Sequence, residues 1–185
     1  MEHKGTQTIV TERLILRSFC LEDTEMFHKH IGNDKKVQEY FLMAFSETEE
    51  QTREFIADLV GKYDERKYWW AIELKDSHEV IGQILGINAR DYFFNIEIGY
   101  SIGQLYWNKG YTTEALKAVI DFLHEVGYHR IVCAFITENL ASKRVMEKAG
   151  MEYEGIRKDE IFYRNQFFDV GYMYHIKGEV DEKKA

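Results

Sequence analysis

Proline is absent from all 185 residues, and the chain also has no repeat or low-complexity stretch that would mark a linker. Only two cysteines occur, Cys20 and Cys133, each inside an apolar pattern. Buried, reduced thiols fit that setting better than a disulfide or a metal pair. No apolar run approaches the roughly 20 residues a membrane-spanning helix needs. The first ten residues lack the apolar core of a secretory signal, so a cytoplasmic protein with no membrane partner is expected. Positive charge is scarce: 24 Lys and Arg stand against 32 Asp and Glu, a formal net charge of −8. A nucleic-acid backbone calls for a positive face that displaces its counterions, so direct nucleic-acid binding is disfavoured. Cationic substrates suit this balance, although such a charge also serves solubility alone.

Large apolar side chains are plentiful. Hydrophobic residues reach 45%, with 12 Tyr and 12 Phe, which excludes a disordered chain and is enough for one sizeable core. One domain over 1–185 is expected, with residues 178–185 as a frayed charged tail. The pattern over Thr11 to Phe19 alternates as a strand, with Leu14 and Leu16 on one face. A helix is predicted from Glu22-Asp23-Thr24, with Met26, Phe27, His30 and Ile31 as its buried stripe and a left-handed stop at Gly32-Asn33. Ser46 and Glu49 have capping-box spacing ahead of Phe55, Ile56, Leu59, Val60 and Tyr63. Three strands follow, over Tyr68 to Leu74, Val80 to Asn88 and Phe93 to Ser101, with short polar links that favour an antiparallel meander. Ala115, Leu116, Val119, Ile120, Leu123 and Val126 make the stripe of a long helix. Then come a doubly buried strand from Arg130 to Thr137, a helix from Asn139 to Ala149, and strands around Tyr153 to Arg157 and Phe167 to Ile176. The order is that of a mixed α/β fold, also described as α+β.

Two stretches carry chemistry. Ile96 to Tyr100 reads as a strand, and Trp107-Asn108-Lys109-Gly110-Tyr111-Thr112-Thr113 as a tight loop opening a helix. Unpaired N–H groups and the positive end of the helix dipole converge in such a loop, which suits phosphate, while a plain strand-to-helix turn also explains the glycine. A P-loop is ruled out because Gly-Lys-Ser/Thr is missing, and so is the GxGxxG of a dinucleotide fold. In the second stretch, Thr137 to Met151, Asn139 and Ser142 are three apart and share a face of the helix start.

Taken in order, these stretches resemble the GNAT superfamily of N-acetyltransferases. The family combines a glycine-bearing pyrophosphate loop with Asn-x-x-Ser and an ending of lysine, small residue, glycine and hydrophobe, here Lys148-Ala149-Gly150-Met151. Thr11 to Arg17, Glu97-Ile98-Gly99-Tyr100, Tyr106-Trp107 and Gly110-Tyr111-x-Thr113-Glu114-Ala115 look like the branch that acetylates ribosomal-protein N-termini. The resemblance implies a strongly twisted, mostly antiparallel central sheet flanked by helices, with a splayed strand pair between the Phe93 to Ser101 and Arg130 to Thr137 strands. It implies acetyl-CoA as acyl donor, its diphosphate on the backbone of Asn108, Lys109, Gly110, Tyr111, Thr112 and Thr113, its pantetheine arm on the first splayed strand and on Asn139. Two positions depart from the superfamily pattern: Trp107 stands where Gln or Arg is usual, and Thr112 stands where a small residue is usual but brings a hydroxyl donor.

Acetyl transfer needs an unprotonated amine, a stabilised oxyanion and a proton for the thiolate. Direct attack by the amine in a ternary complex is preferred, because no nucleophile elbow is present and Cys133 lies in a buried strand. A backbone N–H near Ile98, Gly99 or Tyr100 is the expected oxyanion donor. Glu97 reads either as the general base or as an outward-facing strand carboxylate. Ser142 resembles the branch's thiolate-protonating serine, and also suits hydrogen bonding at a helix start. Asp169 either faces an incoming ammonium or forms a hairpin salt bridge. Glu114 complements the helix dipole. His28 and His30 point to different faces, so no metal site follows. For the acceptor, a protein N-terminal α-amine titrates closer to neutrality than lysine and needs less help. A polyamine, amino acid or aminoglycoside acceptor, a CoA-binding module without catalysis, and a homodimer remain as alternatives.

Overall fold

Residues 1–41 and 46–178 are described by the structure, a computed structural model; most of the charged tail lies outside them. Eight strands are present among the described residues: β1 (Ile9–Val10), β2 (Leu14–Arg17), β3 (Trp69–Leu74), β4 (Val80–Arg90), β5 (Asn95–Ile102), β6 (Arg130–Ile136), β7 (Glu152–Tyr163) and β8 (Gln166–Ile176). Four α-helices accompany them among the described residues: α1 (Thr24–Phe27), α2 (Glu49–Val60), α3 (Tyr111–Val126) and α4 (Leu140–Lys148). The chain divides into two compact units. One holds His3–Leu85 and Tyr100–Ala115; the other holds Met1–Glu2, Gly86–Gly99 and the residues from Leu116 on.

In the first unit β1, β2, β3 and the opening half of β4 form an antiparallel series, with Leu16 opposite Ile72 and Ala71 opposite Gln83. The alternation read from the sequence is met, since Leu14 and Leu16 are fully buried. Phe19, Phe27, Ile31, Ile56, Leu59 and Val80 form a continuous apolar core closed by Phe55, Tyr63 and Trp69. Two local features differ from the sequence pattern. The cap of α2 is Thr48, whose Oγ1 accepts from the Gln51 N–H at 3.3 Å while Gln51 Oε1 accepts from the Thr48 N–H at 3.2 Å. Ser46 and Glu49 have the same spacing, but starting at Thr48 sets Glu49 and Glu50 in the first turn, where the dipole favours them. The helix read from Glu22 is short: a 3-10 turn over Leu21–Asp23 leads into α1, then a wide π turn over His28–Gly32. Met26 is exposed rather than buried, and Asn33 ends the turn at φ −101° without a left-handed residue, its N–H bonding the His28 carbonyl.

In the second unit β5 and β6 run parallel, and β6, β8 and β7 follow as antiparallel neighbours. The parallel ladder begins at Asn95↔Arg130 and its last pair is Ile98↔Cys133, although β5 continues to Ile102 and β6 to Ile136. Ile96 and Ile98 on β5 and Ile131 and Cys133 on β6 are buried, as are Leu116, Val119, Ile120 and Leu123 along α3. The residues between them, Glu97 and Val132, belong to the opposite face by the period-2 rule. Gly171 admits β6 closely: a Cβ there would meet the Phe135 ring at 2.4 Å. β7 is longer than its sequence pattern suggests, because a register shift between Arg157 and Ile161 hides the alternation.

Candidate active site

In the first unit, the loop before α3 is built by backbone conformation. Asn108 and Gly110 both have positive φ, 61° and 83°, a region that glycine enters freely and that asparagine tolerates. The first helical bond runs from the Glu114 N–H to the Gly110 carbonyl at 3.0 Å, so the N–H groups of Tyr111, Thr112 and Thr113 precede the ladder and remain for a guest. A diphosphate fits this cradle, since its charge meets both those donors and the helix dipole. Thr112 is buried at 8% exposure, so its departure from a small residue is absorbed by the interior while its N–H stays at the helix mouth. Trp107 anchors the loop, its indole N–H donating to the Ile102 carbonyl at 2.8 Å. Lys109 lies over the Tyr106 ring.

The sequence reading did not single out the clamp behind this loop. Arg13 donates from Nη1 to the Lys109 carbonyl at 2.9 Å and from Nε to Glu114 Oε2 at 2.7 Å, and its guanidinium stacks over Tyr111. Glu114 Oε1 accepts from the Thr11 hydroxyl at 2.6 Å and from the Arg13 N–H at 2.8 Å. Partial burial alone would raise the Glu114 carboxyl, yet the Thr11 hydroxyl and Arg13 outweigh it and hold the group below the usual carboxylate range. The only sequence signal was position: Thr11 and Arg13 flank Glu12 in the opening motif.

In the second unit a cleft of about 790 Å³ opens on the face that carries Glu97 and Val132. Its volume is within the range of about 300–1,000 Å³ typical of small-ligand sites. Glu97 is half-buried and its Oε2 accepts from Asn88 Nδ2 at 2.9 Å. Beyond β6, Tyr172 of β8 donates to Glu160 Oε1 at 3.1 Å, Arg157 donates to the same oxygen at 2.9 Å, and the Arg157 guanidinium covers the Tyr172 ring at 4.6 Å. Burial raises the Tyr172 hydroxyl, helped by Glu160 and by the charge of Glu97. The register shift places Lys158, Asp159 and Glu160 against Asp169 alone. Asp169 accepts from Lys158 Nζ at 2.6 Å and from the Asp159 N–H at 3.0 Å, so it takes the hairpin role and does not line the cleft. Tyr172, Glu160 and Arg157 carried no sequence signal, because a bulge has no periodicity.

Asn139 caps α4, its Oδ1 accepting from the Ser142 N–H at 3.0 Å, which is how the three-residue spacing is used. Its amide nitrogen remains as the donor. Ser142 is half-buried in the first turn of the helix. Cys133 is fully buried and burial pushes its thiol up, so it supplies no thiolate.

A family model described as an acetyltransferase (GNAT) domain matches residues 13–152. The chain is similar to the uncharacterized N-acetyltransferase YnaD of Bacillus subtilis (strain 168), with 33% identity over 92% of this chain and 97% of that protein. It also resembles the solved acetyltransferase (GNAT family) from Bacillus anthracis, with 32% identity, a TM-score of 0.82, and 92% and 98% of the two chains covered. A shorter match, 34% identical over 51% of this chain and 50% of the other, links it to the [ribosomal protein uS5]-alanine N-acetyltransferase of Escherichia coli (strain K12). The chain belongs to the GNAT acetyltransferases. It is an acetyl-CoA-dependent acyltransferase, and its fold is theirs.

Proposed function

We propose that this enzyme acetylates a primary amine that enters the cleft at Glu97, in the manner of an N-terminal α-amine such as that of a ribosomal protein. The observation that carries the reading is the position of Glu97, one residue before the parallel ladder ends at Ile98↔Cys133 and inside the described cleft. Acetyl-CoA supplies the activated acyl group. The backbone N–H groups of Asn108 to Thr113 hold its diphosphate, and the Asn139 amide donates to its pantetheine arm. Glu97, directly or through a water, takes the proton of the incoming ammonium, so that the amine nitrogen attacks the thioester carbonyl in a ternary complex. A backbone N–H among Ile98, Gly99 and Tyr100 stabilises the oxyanion. The carbon–sulfur bond then breaks, Ser142 hands a proton to the departing thiolate, and the second proton lost by the new amide nitrogen returns to Ser142 through water. No acyl-enzyme is needed, in keeping with the buried Cys133.

Relatives with ribosomal-protein substrates support the protein N-terminus as acceptor and a cytoplasmic setting. Among the described residues no helix is long and apolar enough to cross a membrane. The test is acetyl-CoA consumption against panels of peptides with free N-termini and of small amines. Turnover on peptides is expected; turnover on small amines with none on peptides removes the N-terminal reading. Acetyl-CoA at about 100 times its Kd should stabilise the fold by about 2.7 kcal/mol.

A further inference from the structure

We propose that the Glu97 cleft selects its acceptor by charge, taking an amine with a single positive charge and turning away polycations, with Arg130 and Arg157 as the specificity-determining residues. The inference rests on the cleft being the acceptor site, and it goes beyond that reading by assigning the substrate class.

The chain as a whole carries a net charge of −8, which by itself favours a polycation as substrate. The cleft does not share that charge. Glu97, Glu154 and Glu160 line it together with Arg90, Arg130 and Arg157, so its formal charges cancel. The carboxylates also differ in their partners. Glu154 is paired with Arg130, and Glu160 with Arg157. Glu97 accepts only from the neutral Asn88 amide among the described residues. One ammonium therefore finds one uncompensated carboxylate.

The Tyr172 hydroxyl supplies a second partner of the right kind. It spends its proton on Glu160 and accepts from Arg157 Nη1 at 3.5 Å, which leaves one oxygen lone pair as an acceptor, and burial raises its pKa further from neutrality. A polyamine seated on Glu97 brings another ammonium a few methylenes away, among guanidiniums already satisfied by Glu154 and Glu160. Like charges placed together reject a wrong partner, and an arginine cannot shed its charge to relieve the conflict.

Calorimetry on the full chain with coenzyme A present tests this, using L-alaninamide as the monocationic probe and spermidine as the polycation. Alaninamide should bind about tenfold more tightly than spermidine, and Arg157→Gln or Arg130→Gln should shrink that ratio about tenfold by admitting spermidine. A folding defect weakens both probes together and does not move the ratio; circular dichroism shows which variant is folded, and the wild-type ratio decides by itself if neither is. Spermidine binding as tightly as alaninamide, a ratio unchanged in a folded variant, or no binding of either probe overturns the proposal. Turnover measured in parallel separates the two readings. Alaninamide bound selectively but never acetylated counts against acetyl transfer at this cleft and leaves the filter standing, whereas equal acetylation of both probes keeps the transfer and removes the filter.

Discussion

The loop before α3 and the cleft on β5, β6 and β8 are built from different materials. The loop is a backbone device: left-handed Asn108 and Gly110, three helix-start N–H groups, and the Arg13–Glu114 clamp that holds them. The cleft is a side-chain device: Glu97, Tyr172, Glu160 and the arginines meet because strand order and a bulge put them on one face. A backbone site suits an invariant guest such as a diphosphate, since every residue carries an N–H. A side-chain site suits a guest that varies between enzymes, since it is retuned by single substitutions.

That contrast breaks first at Glu97. Glu97→Gln should lower kcat by about 10²–10⁴-fold, the usual worth of a positioned base, with the acetyl-CoA Kd unchanged by calorimetry. If Kd moves as much as kcat, the two regions are not separable. Gly110→Ala is the converse experiment. An L-residue held left-handed costs about 1–2 kcal/mol, and its Cβ would stand 3.3 Å from the Arg13 guanidinium. Acetyl-CoA should therefore bind about 5–30-fold more weakly, while the selectivity among amines is kept.

Acid should strain the two units at different points. His124, hydrogen-bonded to His175 at 2.8 Å and to the Tyr128 carbonyl, has its pKa lowered from 6.5 by burial, and the facing charges of His175 and Lys177 add to this. A group whose folded pKa is depressed contributes stability above its unfolded pKa and loses it as pH falls through the folded value. Thermal stability should thus begin to fall below about pH 6.5 through His124. Glu114 follows the same sign from a lower start, its ordinary value being 4.5, so its share is lost only below that pH. In His124→Gln the first step should vanish from the Tm profile and the second remain; Glu114→Gln should do the reverse. The smallest effect is expected at Asp169. Because it acts on the cleft only by holding Lys158 and Asp159, Asp169→Asn should change the amine KM by no more than about twofold, and a larger change would return it to direct contact with substrate.

Most of the fold was legible. The α3 stripe from Ala115 to Val126 reads from periodicity because each residue faces the same environment one turn on, and all six positions are buried. The loop at Gly110 was legible because a left-handed turn ahead of a helix favours glycine most and asparagine next, and both stand there. Two misreadings were local ties. Ser46 and Thr48 offer equal caps, and only the burial of Thr52, Ile56 and Leu59 selects the later start. Met26 continues a helical stripe that the π turn after Phe27 cuts short. Arg13, Arg157, Glu160 and Tyr172 were not legible as site residues, since each is an ordinary surface residue until its partner is known.

By itself the sequence determined the element order, the buried faces, the glycine-bearing loop ahead of α3 and the family, because these depend on neighbours within a turn or a strand and on motifs in fixed order. The tertiary structure alone decided which charges meet in the cleft. Arg157 is separated from Tyr172 by a bulge and a hairpin, and Glu97 reaches the same face only through the parallel pairing of β5 with β6. Side-chain electrostatics depend on distance in space, and no local pattern encodes distance between strands that are remote along the chain.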